Sequence, residues 1–194
     1  MSIIGDVFGL TSIYERQVEN IENDNFESWP ENALYGYYLG GQVPTTVKTV
    51  DRLDFSNETV SSPGNDLSLV RRQGGSVSTS SYGYFGYGLH GNPTLLKTVD
   101  RLDFSSETCS LPGIDLPNEK RRLLSAVQTS SYGYFAGGLN IPPPAVRYNT
   151  VSRIDFSNET GSTPGNNLSQ ARYGVGSVQT DSYGYFCGGN TLPP

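Results

Sequence analysis

Hydrophobic and polar side chains alternate in short runs along most of this chain. In Val50-Asp51-Arg52-Leu53-Asp54-Phe55, successive side chains of an extended segment point to opposite faces. Leu53 and Phe55 then share one face, and Arg52 and Asp54 share the other. Ser56-Asn57-Glu58-Thr59 follows with turn chemistry, and Ser157-Asn158-Glu159-Thr160 repeats it. Tyr-Gly-Tyr-Phe segments suit central strands, with a glycine where another backbone or ring comes close. Ser76-Val77-Ser78-Thr79 and Ser177-Val178-Gln179-Thr180 read as the strand before the aromatic one. The pattern predicts about four short strands per 50 residues and no helix between them.

These elements recur. Tyr-Gly-Tyr followed by Tyr or Phe starts at Tyr35, Tyr82, Tyr132 and Tyr183. Asp51-Arg52-Leu53-Asp54-Phe55-Ser56 returns as Asp100-Arg101-Leu102-Asp103-Phe104-Ser105 and as Ser152-Arg153-Ile154-Asp155-Phe156-Ser157. Each copy continues through Glu-Thr to Pro-Gly at Pro63, Pro112 and Pro164, and then to Arg72, Arg122 and Arg172. A period near 50 residues marks a repeat architecture, with repeats at 35–81, 82–131 and 132–182 and a partial one at 183–194.

This unit resembles the kelch repeat of galactose-oxidase-like β-propellers. The marks are diglycines at Gly40-Gly41, Gly137-Gly138 and Gly188-Gly189, the Asp-containing strand, the following arginine and the aromatic strand. The second copy departs with Gly86-Tyr87-Gly88, and the family's Trp after the Asp strand is missing. The resemblance implies an all-β fold of kelch-like propeller blades: three full repeats plus the start of a fourth. Propellers close with about four to eight blades. A longer chain or a homo-oligomer is therefore expected to complete the ring.

Residues 1–34 lack the repeat. Ser12-Ile13-Tyr14-Glu15 fits a capping box, and Leu10, Ile13, Tyr14, Val18 and Ile21 follow helical spacing. A short helix over roughly 12–22 is predicted, preceded by the apolar lead Ile3, Ile4, Val7, Phe8 and Leu10. Two readings compete: a cap on the edge of the first repeat, or a docking segment whose contacts are Ile3, Ile4, Val7, Phe8, Leu10, Ile13 and Tyr14.

Composition narrows the chemistry. Lys and Arg number 13 against 19 Asp and Glu, a net charge of −6, with no basic run. That argues against nucleic acid as a partner. One His and two Cys cannot build the usual tetrahedral zinc site and disfavour His-based acid–base catalysis. The chain is therefore read as non-enzymatic, with no cofactor and no metal. Cys109 and Cys187 are read as buried or half-buried thiols. The start Met1-Ser2-Ile3-Ile4-Gly5-Asp6 is no secretory signal peptide, and no stretch approaches 18 apolar residues, so no membrane insertion is expected.

The repeated charges are expected to be structural. Arg52 with Asp54, Arg101 with Asp103 and Arg153 with Asp155 share strand faces and suit one Arg–Asp pair per blade. Arg72, Arg122 and Arg172 suit bonds to neighbouring carbonyls. The loops Gln42–Thr46, His90–Leu95 and Asn140–Tyr148 vary most between copies, and binding usually resides in such loops. Tyr87, His90, Arg147 and Tyr148 are the candidate surface contacts there.

High Gly and Tyr with few Lys give the chain an extracellular flavour without an export signal. With the N-terminal segment, it resembles kelch-like structural proteins of marine or cyanobacterial tailed phages. That resemblance implies a tail-fibre, neck or capsid appendage in the virion. Its N-terminus would dock on other virion proteins, and its propeller would face a host glycan or receptor. A cytoplasmic kelch interaction scaffold and a lectin-like carbohydrate-binding module are the alternatives.

Overall fold

A computed structural model describes residues 35–91, 94–140 and 144–191. The helix expected over 12–22, and the docking contacts from Ile3 to Tyr14, lie outside the described residues. All regular structure within them is β. The strands are β1 (Tyr35–Val43), β2 (Thr45–Asp54), β3 (Thr59–Ser61), β4 (Gly75–Ser78), β5 (Tyr82–Gly86), β6 (Leu89–His90), β7 (Thr94–Leu95), β8 (Val99–Asp103), β9 (Thr108–Ser110), β10 (Ser125–Gln128), β11 (Tyr132–Ala136), β12 (Val151–Asp155), β13 (Thr160–Ser162), β14 (Gly176–Gln179) and β15 (Gly184–Cys187).

Two complete four-stranded antiparallel meanders, β4-β5-β8-β9 and β10-β11-β12-β13, stand between a three-stranded sheet β1-β2-β3 and a two-stranded sheet β14-β15. The register is the same in both meanders: Tyr84 opposes Arg101 and Tyr134 opposes Arg153. Each begins ahead of its Tyr-Gly-Tyr segment, at Gly75 or Ser125, so boundaries drawn at Tyr82 and Tyr132 split a sheet from its first strand. Gln42–Thr46 is no irregular loop either. It is the paired tip of the β1–β2 hairpin, with Gln42 opposite Thr46.

Neighbouring sheets meet face to face, with β4 beside β10 and β10 beside β14. The alternation within Tyr-Gly-Tyr explains how. Tyr82 and Tyr84 share a face with Arg101 and Asp103, directed at the third sheet, while Gly83 and Phe85 are directed at the first. Glycine is required because the preceding sheet's valine fills its place. A Cβ on Gly133 would stand 2.5 Å from Val77 Cγ2, and one on Gly184 2.6 Å from Val127 Cγ2. The core between the second and third sheets joins Val77, Tyr84, Val99, Leu116, Leu124, Phe135 and Ile154. Burying each such side chain contributes about 1.5–3 kcal/mol.

Gly133→Ala should therefore overpack a stiff, buried valine and cost about 1–3 kcal/mol in a urea unfolding curve. Gly176→Ala is the control. Its new Cβ meets nothing nearer than Cys187 O at 3.8 Å, and stability should stay within about 0.5 kcal/mol.

Candidate functional site

The repeated arginines join one sheet to the next. Arg52 Nη1 lies 2.7 Å from Glu107 Oε1, and Arg101 Nη1 lies 2.8 Å from Glu159 Oε1. This corrects the expected Arg–Asp pairing within a strand. Asp54, Asp103 and Asp155 instead close their own turns, accepting from the hydroxyl and backbone N–H of Ser56, Ser105 and Ser157. Those bonds hold the three carboxyls below the usual carboxylate range. Asp side chains favour such local bonds two residues ahead, and this local competition defeats the same-face pairing.

Tyrosine completes each junction. Tyr37 stacks on Phe104 with centroids 5.3 Å apart and donates to Glu107 at 3.1 Å. Tyr84 stacks on Phe156 at the same distance and donates to Glu159 at 3.0 Å. The Arg52 and Arg101 guanidiniums also lie 4.7 and 4.8 Å over the rings of Tyr35 and Tyr82. Arg153 covers Tyr132 at 4.4 Å and donates from Nε to Ser162 Oγ.

The second arginines are less involved. Arg172 donates to Phe186 O at 3.1 Å, Arg122 donates to Gln73 Oε1 at 2.8 Å, and Arg72 pairs through its backbone with Leu89. The arginines before them, Arg71 and Arg121, are the buried ones, and sequence reasoning missed them. The Arg-Arg doublet was the available signal, since alternation sends one member inward. Arg71 forms a buried ion pair with Asp100 at 2.7 Å and also donates to Thr98 O and Tyr87 O. Arg121 has no carboxylate partner among the described residues. It donates to Thr150 O at 2.9 Å, Ser152 Oγ at 2.8 Å and Tyr87 Oη at 3.2 Å, and lies 4.6 Å over the Tyr87 ring. Burial works against both guanidinium charges and pulls their pKa values down.

Tyr87 is therefore not a surface contact. It is fully buried, and its hydroxyl reaches Ser152 Oγ and Pro117 O, each at 2.6 Å. Ser152 stands where the second repeat has Asp100, and Tyr87 stands where the other repeats have Gly40, Gly137 and Gly188. The phenol thus enters space left by the shorter serine. A tyrosine at φ 61° is an uncommon backbone state that the surrounding contacts must hold.

His90, Arg147 and Tyr148 are half-buried. His90 Nδ1 lies 3.0 Å from Val70 O, and Arg147 pairs through its backbone with Leu139. In an antiparallel meander the first and third turns lie at one end and the second at the other. The second connection carries these three residues, so they lie at the end opposite the most regular polar feature of the molecule.

That feature is a recess of about 520 Å³ at the turns after β4, β10 and β14. Its lining is the same segment taken from three successive repeats: Ser78-Thr79-Ser80, Gln128-Thr129-Ser130 and Gln179-Thr180-Asp181. Glutamine side chains tie the segments together. Gln128 Oε1 accepts from Ser78 N–H, Gln128 Nε2 donates to Ser78 Oγ at 3.2 Å, and Gln179 Oε1 accepts from Gln128 N–H at 2.6 Å. Thr79, Thr129 and Thr180 are used inside their turns, each accepting the N–H three residues on. Ser130, the exposed Gln179 amide and the exposed Asp181 carboxylate remain at the surface of the recess. Hydroxyls, a carboxamide and one carboxylate make a hydrogen-bonding lining. Among the described residues no three His, Cys, Asp or Glu side chains gather where a metal could be held.

Cys109 and Cys187 are free thiols, half-buried and exposed respectively. The exposed Cys187 corrects the expectation of burial, because β15 has no third strand beside it among the described residues.

The described residues thus form tandem antiparallel sheets with one polar recess lined by equivalent turns of three repeats. No family model matches the chain, and a search of curated proteins finds no match.

Glu159→Ala should leave the Tyr84 phenol and the Arg101 guanidinium without their acceptor. The expected loss is about 1.5–3 kcal/mol in chemical denaturation. Alkali should attack the same junctions. Burial, then the hydrogen bond and charge of Glu107, push the Tyr37 phenol up to about 12, and Tyr84 is raised for the same reasons with Glu159. Stability from the Tyr37 phenol is complete below pH about 10 and is lost as pH rises through about 12, and that from Tyr84 is complete below the same pH and falls in the same direction. Denaturation midpoints measured from pH 8 to 12 should show this fall, and a flat profile would contradict it.

Proposed function

We propose that the tandem sheets are blades of a kelch-like β-propeller and that the chain is a non-enzymatic virion structural protein. In this reading it is a tail-fibre, neck or capsid appendage. Residues 1–34 dock on other virion proteins, and the blades are displayed outward towards a host-surface glycan or receptor. The observation that carries the display role is the recess, built from equivalent residues of three consecutive repeats. Serine hydroxyls, the Gln179 amide and the Asp181 carboxylate offer donors and acceptors suited to a polyhydroxylated ligand. Four-stranded meanders stacked side by side, each at the same register, support the blade reading. The order of the strands and the Tyr-Gly-Tyr, Asp-strand and arginine marks support the kelch likeness.

Two measurements test this. A chain lacking residues 1–34 should fold but lose incorporation into particles, and full incorporation would refute the anchoring role. On a glycan array the intact chain should bind a subset of neutral or amino sugars. Gln179→Ala should weaken that binding about fivefold, the loss of one hydrogen bond. Equal binding by this variant would remove the recess as the site.

A further inference from the structure

Each junction between sheets has a direction. Between the second and third sheets, the second gives a valine and a tyrosine, and the third takes them with a glycine, a phenylalanine and a glutamate. Val77 occupies the place of a side chain on Gly133, while Tyr84 stacks on Phe156 and donates to Glu159. Tyr37 repeats the second half of this with Phe104 and Glu107, and Val127 repeats the first half with Gly184.

The sheets at the two ends of the array each carry one half of this junction, exposed. The first presents the taking half: Gly36, Phe55 and Glu58. Phe55 is 55% exposed, and the three atoms nearest to a Cβ on Gly36 all belong to the Phe55 ring, whereas the two nearest at Gly133 belong to Val77. Glu58 already has the conformation of the working glutamates, φ 57° against 52° and 54° for Glu107 and Glu159. The last sheet presents the giving half. Val178 is 64% exposed and Tyr185 48%, whereas their counterparts Val77 and Tyr84 are 4% and 1%.

We propose that the β14–β15 face of one copy docks, head to tail, on the β1–β2–β3 face of a second copy. Val178 seats over Gly36, and Tyr185 stacks on Phe55 and donates to Glu58. The occupant is a second copy because the junctions inside the chain define what each face binds. The other end of the same array carries the surface that meets the first sheet's requirements. Such a contact is heterologous, so it closes into a ring or extends as a chain of subunits. The proposal stands on the junction geometry and is independent of the virion reading.

Light scattering and sedimentation of the full chain test it. The wild type should show masses above 21.1 kDa that rise with concentration. Val178→Asp spoils the giving face, and Phe55→Asp spoils the taking face. Each variant alone should be monomeric, with the wild-type circular dichroism spectrum and the melting curve of dilute, dissociated wild type, because both side chains are exposed. Mixed, the two should form a 1:1 dimer of twice 21.1 kDa, since each retains one intact face. Glu58→Gln, a conservative change, should weaken self-association about fivefold. A wild type that stays monomeric at its highest soluble concentration overturns the proposal. So do variants that assemble like the wild type, a mixture that stays monomeric, or an association constant untouched by Glu58→Gln. Assembly that begins only when residues 1–34 are removed would assign the first face to that segment and overturn it as well.

Discussion

A glutamate in a tight turn, receiving a tyrosine hydroxyl and an arginine from the preceding sheet, is the contact on which this structure depends. Glu107 and Glu159 each hold such a pair. The turn places the glutamate at positive φ, an uncommon state for a residue with a side chain. Once it is there, the tyrosine must stack on the phenylalanine that opens the same turn. The strand bearing the tyrosine must then alternate tyrosine with glycine, so that the valine of one sheet can enter the next. One junction therefore accounts for most of the side chains that recur every 50 residues or so.

Behind these junctions, the second and third sheets bury a guanidinium in two different ways. Arg71 is neutralised by Asp100, and the neighbouring position in the first sheet is Gly40. Arg121 faces Ser152 and is held by hydroxyls, carbonyls and the Tyr87 ring. The two exchanges, Asp to Ser and Gly to Tyr, are complementary in volume. A buried ion pair contributes little net stability but is costly to break, and the ring and hydroxyls take over its role where the carboxylate is missing. The repeats can thus vary inside while their outer geometry stays constant. That constancy aligns three Ser/Gln-Thr-Ser/Asp turns into one polar recess.

Much of the strand pattern was legible because alternation has a fixed period of two. The short strands, about four to a repeat, follow from it. The pairing of charges was not legible. Arg52 and Asp54 do share a face, but a short aspartate next to a serine bonds its own turn before a longer side chain can reach it. Tyr87 looked like a loop residue because it interrupts a diglycine, yet its ring is driven into the next sheet by the space over Ser152. The recess was not recognised at all. Its threonines, serines and glutamines are ordinary turn residues in one repeat and become a lining only when three repeats align.

The residue order alone settled the local matters: extended segments, turns, the repeat length, and which side chains share a face. These depend on neighbours a few positions away, where covalent geometry dictates the outcome. Packing decided the rest: which glutamate an arginine meets, which of two adjacent arginines is buried, and where polar turns converge. Those choices join residues from different repeats. They depend on the spacing and tilt of whole sheets, which no short window of sequence encodes.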